Sequence, residues 1–237
     1  MNLVCSEDFS HLYARFSAAV TALDCGDRCG PHNVGGVPFC CDLSHTIPSA
    51  YPEEWDYLRG STSLWHRWQP SDPDLEEEMA RKVPPGHVLI ACLGHRQCQR
   101  EFRSITCRTF PFFPYFDLRK RFIGLAPYWE YEDRCWVISH LDQVSAEFRR
   151  QFTAAYEWLF EHYPDEIQAY IFQSIRMRRI FGRRRRSIVI LPRGHEDEPF
   201  AYKVAPGSGD KRRVALSGLP AYGIYRLAAR LPFPDER

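Results

Sequence analysis

A chain of 237 residues with 44% hydrophobic and 26% charged side chains has enough apolar surface to bury a core, which excludes global disorder. Its formal charge of +1 gives no general attraction to nucleic acid or to an anionic membrane, so any such affinity must come from a local patch. No apolar run approaches the roughly 20 residues that span a bilayer, and residues 1–16 lack the basic start and apolar core of a secretory signal. The expected location is therefore the cytoplasm, where thiols stay reduced.

Residues 6–23 are expected to form a first helix. Phe9, Leu12, Tyr13, Phe16, Val20 and Leu23 recur at helical spacing, with Ser6 as cap and Glu7 and Asp8 in the first turn. The helix leads into DCGDRCGPHNVGGVPFCC (24–41), where Cys25, Cys29, Cys40 and Cys41 place four thiols in one glycine-rich stretch. Deprotonated cysteine is the strongest protein ligand for zinc, copper(I) and iron–sulfur clusters, and glycine lets backbone wrap closely around an ion. The adjacent Cys40 and Cys41 are poorly suited to a disulfide. Cα atoms across a trans peptide lie about 3.8 Å apart, short of the roughly 4.4–6.8 Å that disulfides favour. In extended chain the two side chains point to opposite faces, so the pair serves two ions, two corners of one cluster, or one ligand and one supporting position. Cys5 has no partner at ligand spacing and reads as a bystander, while His32 is either a further ligand or an ordinary loop histidine.

Residues 51–60 read as a short helix with Pro52 at its first position and Gly60 as its stop. A second begins at Ser71 or Asp72, with Pro73 at N1 and acids ahead of bases. After the break at 84–86, HVLIAC reads as a buried strand carrying Cys92, and LGHRQCQREFRSITCRTFPF supplies Cys98 and Cys107 on turns. Arg108 is a candidate to hydrogen-bond thiolates, or else a member of a surface ion pair. Residues 110–115 form an aromatic and proline-rich wall suited to excluding water. RFIGLA and CWVI are expected as short strands, the second bringing Cys135 either as an eighth ligand or as a buried apolar residue.

Beyond Asp142, Phe148, Phe152, Ala155, Tyr156, Leu159, Phe160 and Tyr163 recur at helical spacing. A second helix follows Pro164 through Ile167, Tyr170, Ile171 and Ile175, making a helical hairpin. Its end is strongly basic from Arg176 to Arg186, which suits a nucleic acid or an acidic partner, although Glu196, Asp197 and Glu198 follow closely enough to neutralise it. SIVIL and FAYKV read as a terminal hairpin, and PGSGDKRR (206–213) as a mobile loop.

The pattern C-x3-C-x10-C-C followed by C-x5-C-x8-C-R-T-F-P-F resembles the bacterial YkgJ-like cysteine-cluster proteins, over residues 23–138. Its most specific parts are Cys40–Cys41 and the run Cys107, Arg108, Thr109, Phe110, Pro111. The resemblance implies a zinc- or iron-chelating domain. The flagellin lysine methylases are similar in carrying a comparable cluster, which implies a protein-modifying enzyme as the alternative. No glycine-rich methyl-donor loop, P-loop, G-x-S-x-G or H-E-x-x-H motif is present.

The expectation is an α+β protein: an irregular cysteine-rich metal-binding region with short helices and strands over residues 1–141, then an α-helical hairpin and a small terminal β element over 142–237, packed on the first. The expected ligands are Cys25, Cys29, Cys40, Cys41, Cys92, Cys98 and Cys107, with Cys135 as an eighth. The expected cofactor is zinc or iron, including an iron–sulfur cluster. The expected partner is the metal ion, with a further protein partner left open and no membrane.

Overall fold

The computed structural model describes residues 4–70, 72–81, 83–194 and 199–228. Helix α1 (Ser6–Arg15) buries Phe9, Leu12 and Tyr13. Its cap is Cys5, one residue before the expected Ser6, and the Cys5 N–H donates to Asp8 Oδ2 at 2.8 Å. The helix stops at Arg15 and does not reach residue 23. The chain beyond it runs instead to Val144, where Thr21 forms an antiparallel bridge and the Ser145 N–H donates to Val20 O at 3.0 Å. Backbone partners far along the chain have outweighed the local helical spacing of Val20 and Leu23.

Next come α2 (Cys25–Cys29) and single 3-10 turns at Gly30–His32, Val34–Gly36 and Phe39–Cys41. β1 (Ser49–Ala50), α3 (Pro52–Ser61), β2 (Trp65–Arg67), α4 (Pro73–Ala80) and β3 (Val88–Cys92) follow, the three strands forming an antiparallel sheet in the order β1-β3-β2. Asp72 caps α4, its Oδ1 accepting from the Asp74 N–H at 3.0 Å; the other candidate cap, Ser71, lies outside the described residues.

After α5 (Ile105–Thr109), the aromatic and proline-rich wall is itself largely a strand, β4 (Phe112–Phe116), paired with β5 (Phe122–Pro127). The expected strand at CWVI is instead a short helix, α6 (Trp136–Ser139), with Cys135 at its N-cap. The helical hairpin is present as α7 (Ala146–His162) and α8 (Glu166–Arg183). β6 (Ile188–Pro192) and β7 (Phe200–Val204) pair as expected. Part of the expected mobile loop is a third strand, β8 (Lys211–Ala215), which satisfies the outer edge of β7. The described chain closes with α9 (Tyr225–Ala228).

The terminal β element is not a separate unit. β6 pairs with β5, giving one antiparallel five-stranded sheet in the order β4-β5-β6-β7-β8, built from both sides of residue 142. A bare β5 edge would leave backbone donors and acceptors unpaired, and β6 fills it. α8 packs on β4, where Arg178 donates to Tyr115 Oη at 3.1 Å and to Phe116 O at 2.6 Å. Phe148, Phe152 and Leu159 of α7 are fully buried in the main core, each worth about 1.5–3 kcal/mol by burial. Tyr163 Oη donates to Glu53 at 2.8 Å, and His87 Nε2 lies 3.0 Å from the Glu166 carboxylate, so the hairpin is tied to the first half by polar contacts as well.

Candidate metal centre

Asp24 starts α2, its Oδ1 accepting from the Gly26 N–H at 2.8 Å. Cys25 and Cys29 are four residues apart on this helix and therefore share a face. At Gly30 a Cβ would stand 2.7 Å from Gly36 O, so only glycine lets the successive turns close on each other. Asn33 Nδ2 donates to Val37 O at 3.0 Å and to Asp42 Oδ2 at 2.9 Å, which fastens the loop around the vicinal cysteines. Hydrogen bonds from Ser44 and Asn33 hold the Asp42 carboxyl down to about 2. Cys40 and Cys41 lie on a 3-10 turn, not on extended chain, and their Sγ atoms are 3.9 Å apart.

The remaining four arrive from four other segments. Cys92 ends β3 opposite Trp65 of β2, and Trp65 Nε1 donates to Phe102 O at 2.7 Å, pinning the loop that carries Cys98. Ser104 caps α5 by accepting from the Cys107 N–H at 3.3 Å. Cys135 is fixed through its N–H to Tyr131 O at 2.8 Å. All nine cysteines are free thiols. Cys5 is exposed at the cap of α1, away from the rest. His32 is exposed, its ring edge-on to Tyr225 at 5.7 Å.

The eight expected ligands converge on two cavities. One, of about 100 Å³, is lined by Cys25, Cys29, Cys40, Cys107 and Cys135. The other, of about 1170 Å³, is lined by Cys25, Cys40, Cys41, Cys92, Cys98 and Cys107. Besides the thiols, the larger cavity is lined by Tyr128, Tyr131, Tyr156 and Tyr170, with Glu130 and Arg176. Sequence spacing gave no sign of this wall, because the tyrosines come from three separate segments.

Arg108 does not serve the thiols. Its guanidinium donates to the carbonyls of Phe16, Glu101 and Arg103 and lies over the Tyr13 ring at 4.1 Å, so it is a clamp between α1 and the cysteine-bearing loop. The guanidinium at the cluster belongs to Arg103, whose Nε donates to Cys98 Sγ at 3.0 Å. Nothing in the sequence distinguishes Arg103 from its neighbours Arg100 and Arg108; only the packed loop does.

Burial pushes the thiol of Cys25 up to about 11 and those of Cys107 and Cys135 up to about 12, and neighbouring cysteines add to each. Cys92 and Cys29 are raised for the same main reason. Within the vicinal pair, the hydrogen bond between the two thiols sets them apart, bringing Cys41 down to about 7, with Arg103 assisting, and raising Cys40. Among the described residues, no group of three or more histidine, cysteine, aspartate or glutamate side chains is drawn together to hold a metal ion. The thiols converge on shared cavities without closing into a finished ligand set. Ligation requires thiolates, so metal entry would be linked to proton release.

Part of the basic run is engaged within the fold, while Arg179, Arg183 and Arg185 are exposed. Arg186 makes a two-pronged pair with Glu132 at 2.6 and 3.1 Å, Arg184 and Arg176 lie 3.7 Å from Glu132 and Glu130, and Arg178 is buried. The expected neutralisers Glu196, Asp197 and Glu198 lie outside the described residues. No helix among the described residues is long and apolar enough to cross a membrane. No family model matches this chain, and neither a characterised protein nor a solved structure matches it.

Proposed function

We propose that the protein chelates a soft metal, zinc or iron, through Cys25, Cys29, Cys40, Cys41, Cys92, Cys98, Cys107 and Cys135, and that it does so in a reducing compartment such as the cytoplasm. The observation that carries this reading is the convergence of eight unpaired thiols, from several segments far apart in sequence, on two cavities with a guanidinium beside them. Burying so many thiols at one place has no packing advantage over aliphatic side chains. Their chemistry is recovered only when a cation replaces their protons and offsets the repulsion between thiolates. Anaerobic purification followed by metal and acid-labile sulfide analysis, with a visible absorption spectrum, tests the reading. Stoichiometric zinc, or iron with sulfide, is the expected result. A metal-free chain with eight freely titrating thiols would overturn it.

A second reading, a metal-dependent protein-modifying enzyme such as a lysine N-methylase, is favoured by the size of the tyrosine-walled cavity. At about 1170 Å³ it has room for an organic ligand beside the thiols. Equilibrium dialysis against a methyl donor tests it; retention of the donor supports the enzyme, and no retention by the metal-loaded chain removes it.

A further inference from the structure

We propose that the large cavity binds an organic ligand by an alkylated ammonium headgroup, seated against the rings of Phe110, Tyr128, Tyr131, Tyr156 and Tyr170. This rests on neither reading of the thiols, which contribute a different part of the same lining. At about 1170 Å³ the cavity exceeds what such a headgroup fills, so the headgroup is one part of a larger molecule.

The rings line one space and stand at angles to one another. Phe110 meets Tyr131 at 5.0 Å and 80°, and lies nearly parallel to Tyr128 at 6.4 Å and 15°. Tyr156 meets Tyr170 at 5.3 Å and 86°. Rings at right angles form corners, where a rounded cation can touch more than one ring, and the negative quadrupole of each face attracts it. The rings are held before any ligand arrives. Tyr131 Oη donates to His45 O at 2.8 Å and accepts from Thr46 Oγ1 at 3.0 Å. The Tyr156 and Tyr170 hydroxyls are hydrogen-bonded at 3.2 Å, and Tyr128 packs on Phe113 at 5.0 Å. A lining fixed in this way loses little freedom on binding.

Electrostatics around these rings favour positive charge. Burial raises the phenol pKa of Tyr128, Tyr156 and Tyr170, and carboxylates raise them further: Glu130 and Glu166 at Tyr128, Glu166 and Glu54 at Tyr156, and Glu166 at Tyr170. No guanidinium, ammonium or imidazole acts on the three with comparable strength. Surroundings that resist a phenolate favour a cation in its place. Glu166 is partnered by His87 at 3.0 Å, so Glu130, which lines the cavity itself, is the carboxylate in position to face a ligand. The cationic groups of the lining are engaged elsewhere. Arg103 is on Cys98, and His95 shares its loop. Arg176 lies over the Trp129 ring at 5.5 Å with its side chain 55% exposed, and its 3.7 Å approach to Glu130 is a surface pair of small worth.

The full chain, purified anaerobically, tests this by ligand-observed NMR titration with choline and with its uncharged isostere, in which carbon replaces the quaternary nitrogen. Choline is expected to bind about tenfold more tightly, the size of a desolvated cation–π contact. Equal binding of the two, or no binding of choline, would overturn the proposal, and this comparison needs no variant to fold. Tyr128→Leu should remove the preference, whereas Tyr128→Phe, which keeps the ring, should retain it. Glu130→Gln should weaken choline about threefold and leave the isostere unchanged. A preference that survives Tyr128→Leu in a folded chain would place the cation elsewhere and overturn the site. Metal and sulfide are measured on the same sample. A chain that binds choline without metal keeps this site and loses the chelating function; a metal-loaded chain indifferent to choline does the reverse.

Discussion

Arg103 Nε donates to Cys98 Sγ across 3.0 Å, the one hydrogen bond from a guanidinium to a thiol among the described residues. The contact raises the Arg103 pKa despite burial, because the neighbouring sulfurs favour its charge. A multi-thiolate site bound to a divalent ion carries excess negative charge, and Arg103 is placed to offset it.

Arg103→Gln is therefore expected to lower zinc affinity by about 10–100-fold, the usual cost of losing a supporting partner at a metal site, with the far-ultraviolet circular dichroism unchanged. Competition against a chromophoric chelator reads the affinity. If the variant holds zinc as tightly as the wild type, Arg103 has no part in supporting the site.

Arg108 should behave in the opposite way. Arg108→Ala removes hydrogen bonds to three backbone carbonyls and a stacking contact on Tyr13, at a cost on the order of 3 kcal/mol. Urea unfolding should show a lower midpoint with an unchanged slope. Metal stoichiometry should remain that of the wild type, which separates the clamp from the cluster.

Glu54 is wholly buried, accepting from Tyr13 Oη and the Ile105 N–H, both at 2.6 Å, and from the Tyr51 N–H at 3.2 Å. Desolvation raises its pKa above the ordinary 4.5, and those three hydrogen bonds only partly oppose it. A carboxyl raised on folding binds more protons in the folded state than in the unfolded one, so its contribution is present below pH 4.5 and is lost as pH rises from there through the folded value. The difference in unfolding free energy between wild type and Glu54→Gln should accordingly shrink as pH rises from about 4.5. A difference that widens over the same range would contradict the assignment.

Metal removal should be destabilising out of proportion to the few residues involved. Structural zinc in small peptides contributes about 10–16 kcal/mol, against a whole-domain stability of about 5–15 kcal/mol. Stripping the loaded protein with a chelator should raise amide exchange across residues 24–41 and 92–107, and leave α7, held by Phe148, Phe152 and Leu159, better protected. Uniform exchange with and without metal would mean that the cluster does not hold its own loops.

Local signals in the chain carry the α+β class, the hairpin of α7 and α8, the strand at Val88–Cys92, the Pro52 and Pro73 helix starts, and the clustered spacing of the thiols. These are short-range matters: periodicity, capping and turn chemistry act over a few residues and leave a local record. Tertiary structure decided what depends on partners far along the chain. It stopped α1 at Arg15 in favour of a bridge to Val144, made a helix of Trp136–Ser139, drew Lys211–Ala215 into the sheet, and joined β5 to β6 across the expected boundary. It also gave Arg103 the thiol and Arg108 the backbone carbonyls, a choice between two arginines of one loop that depends on where α1 and β3 pack. An unpaired strand edge or a buried guanidinium must find a partner wherever the fold supplies one, and that requirement leaves no spacing in the sequence from which it can be read.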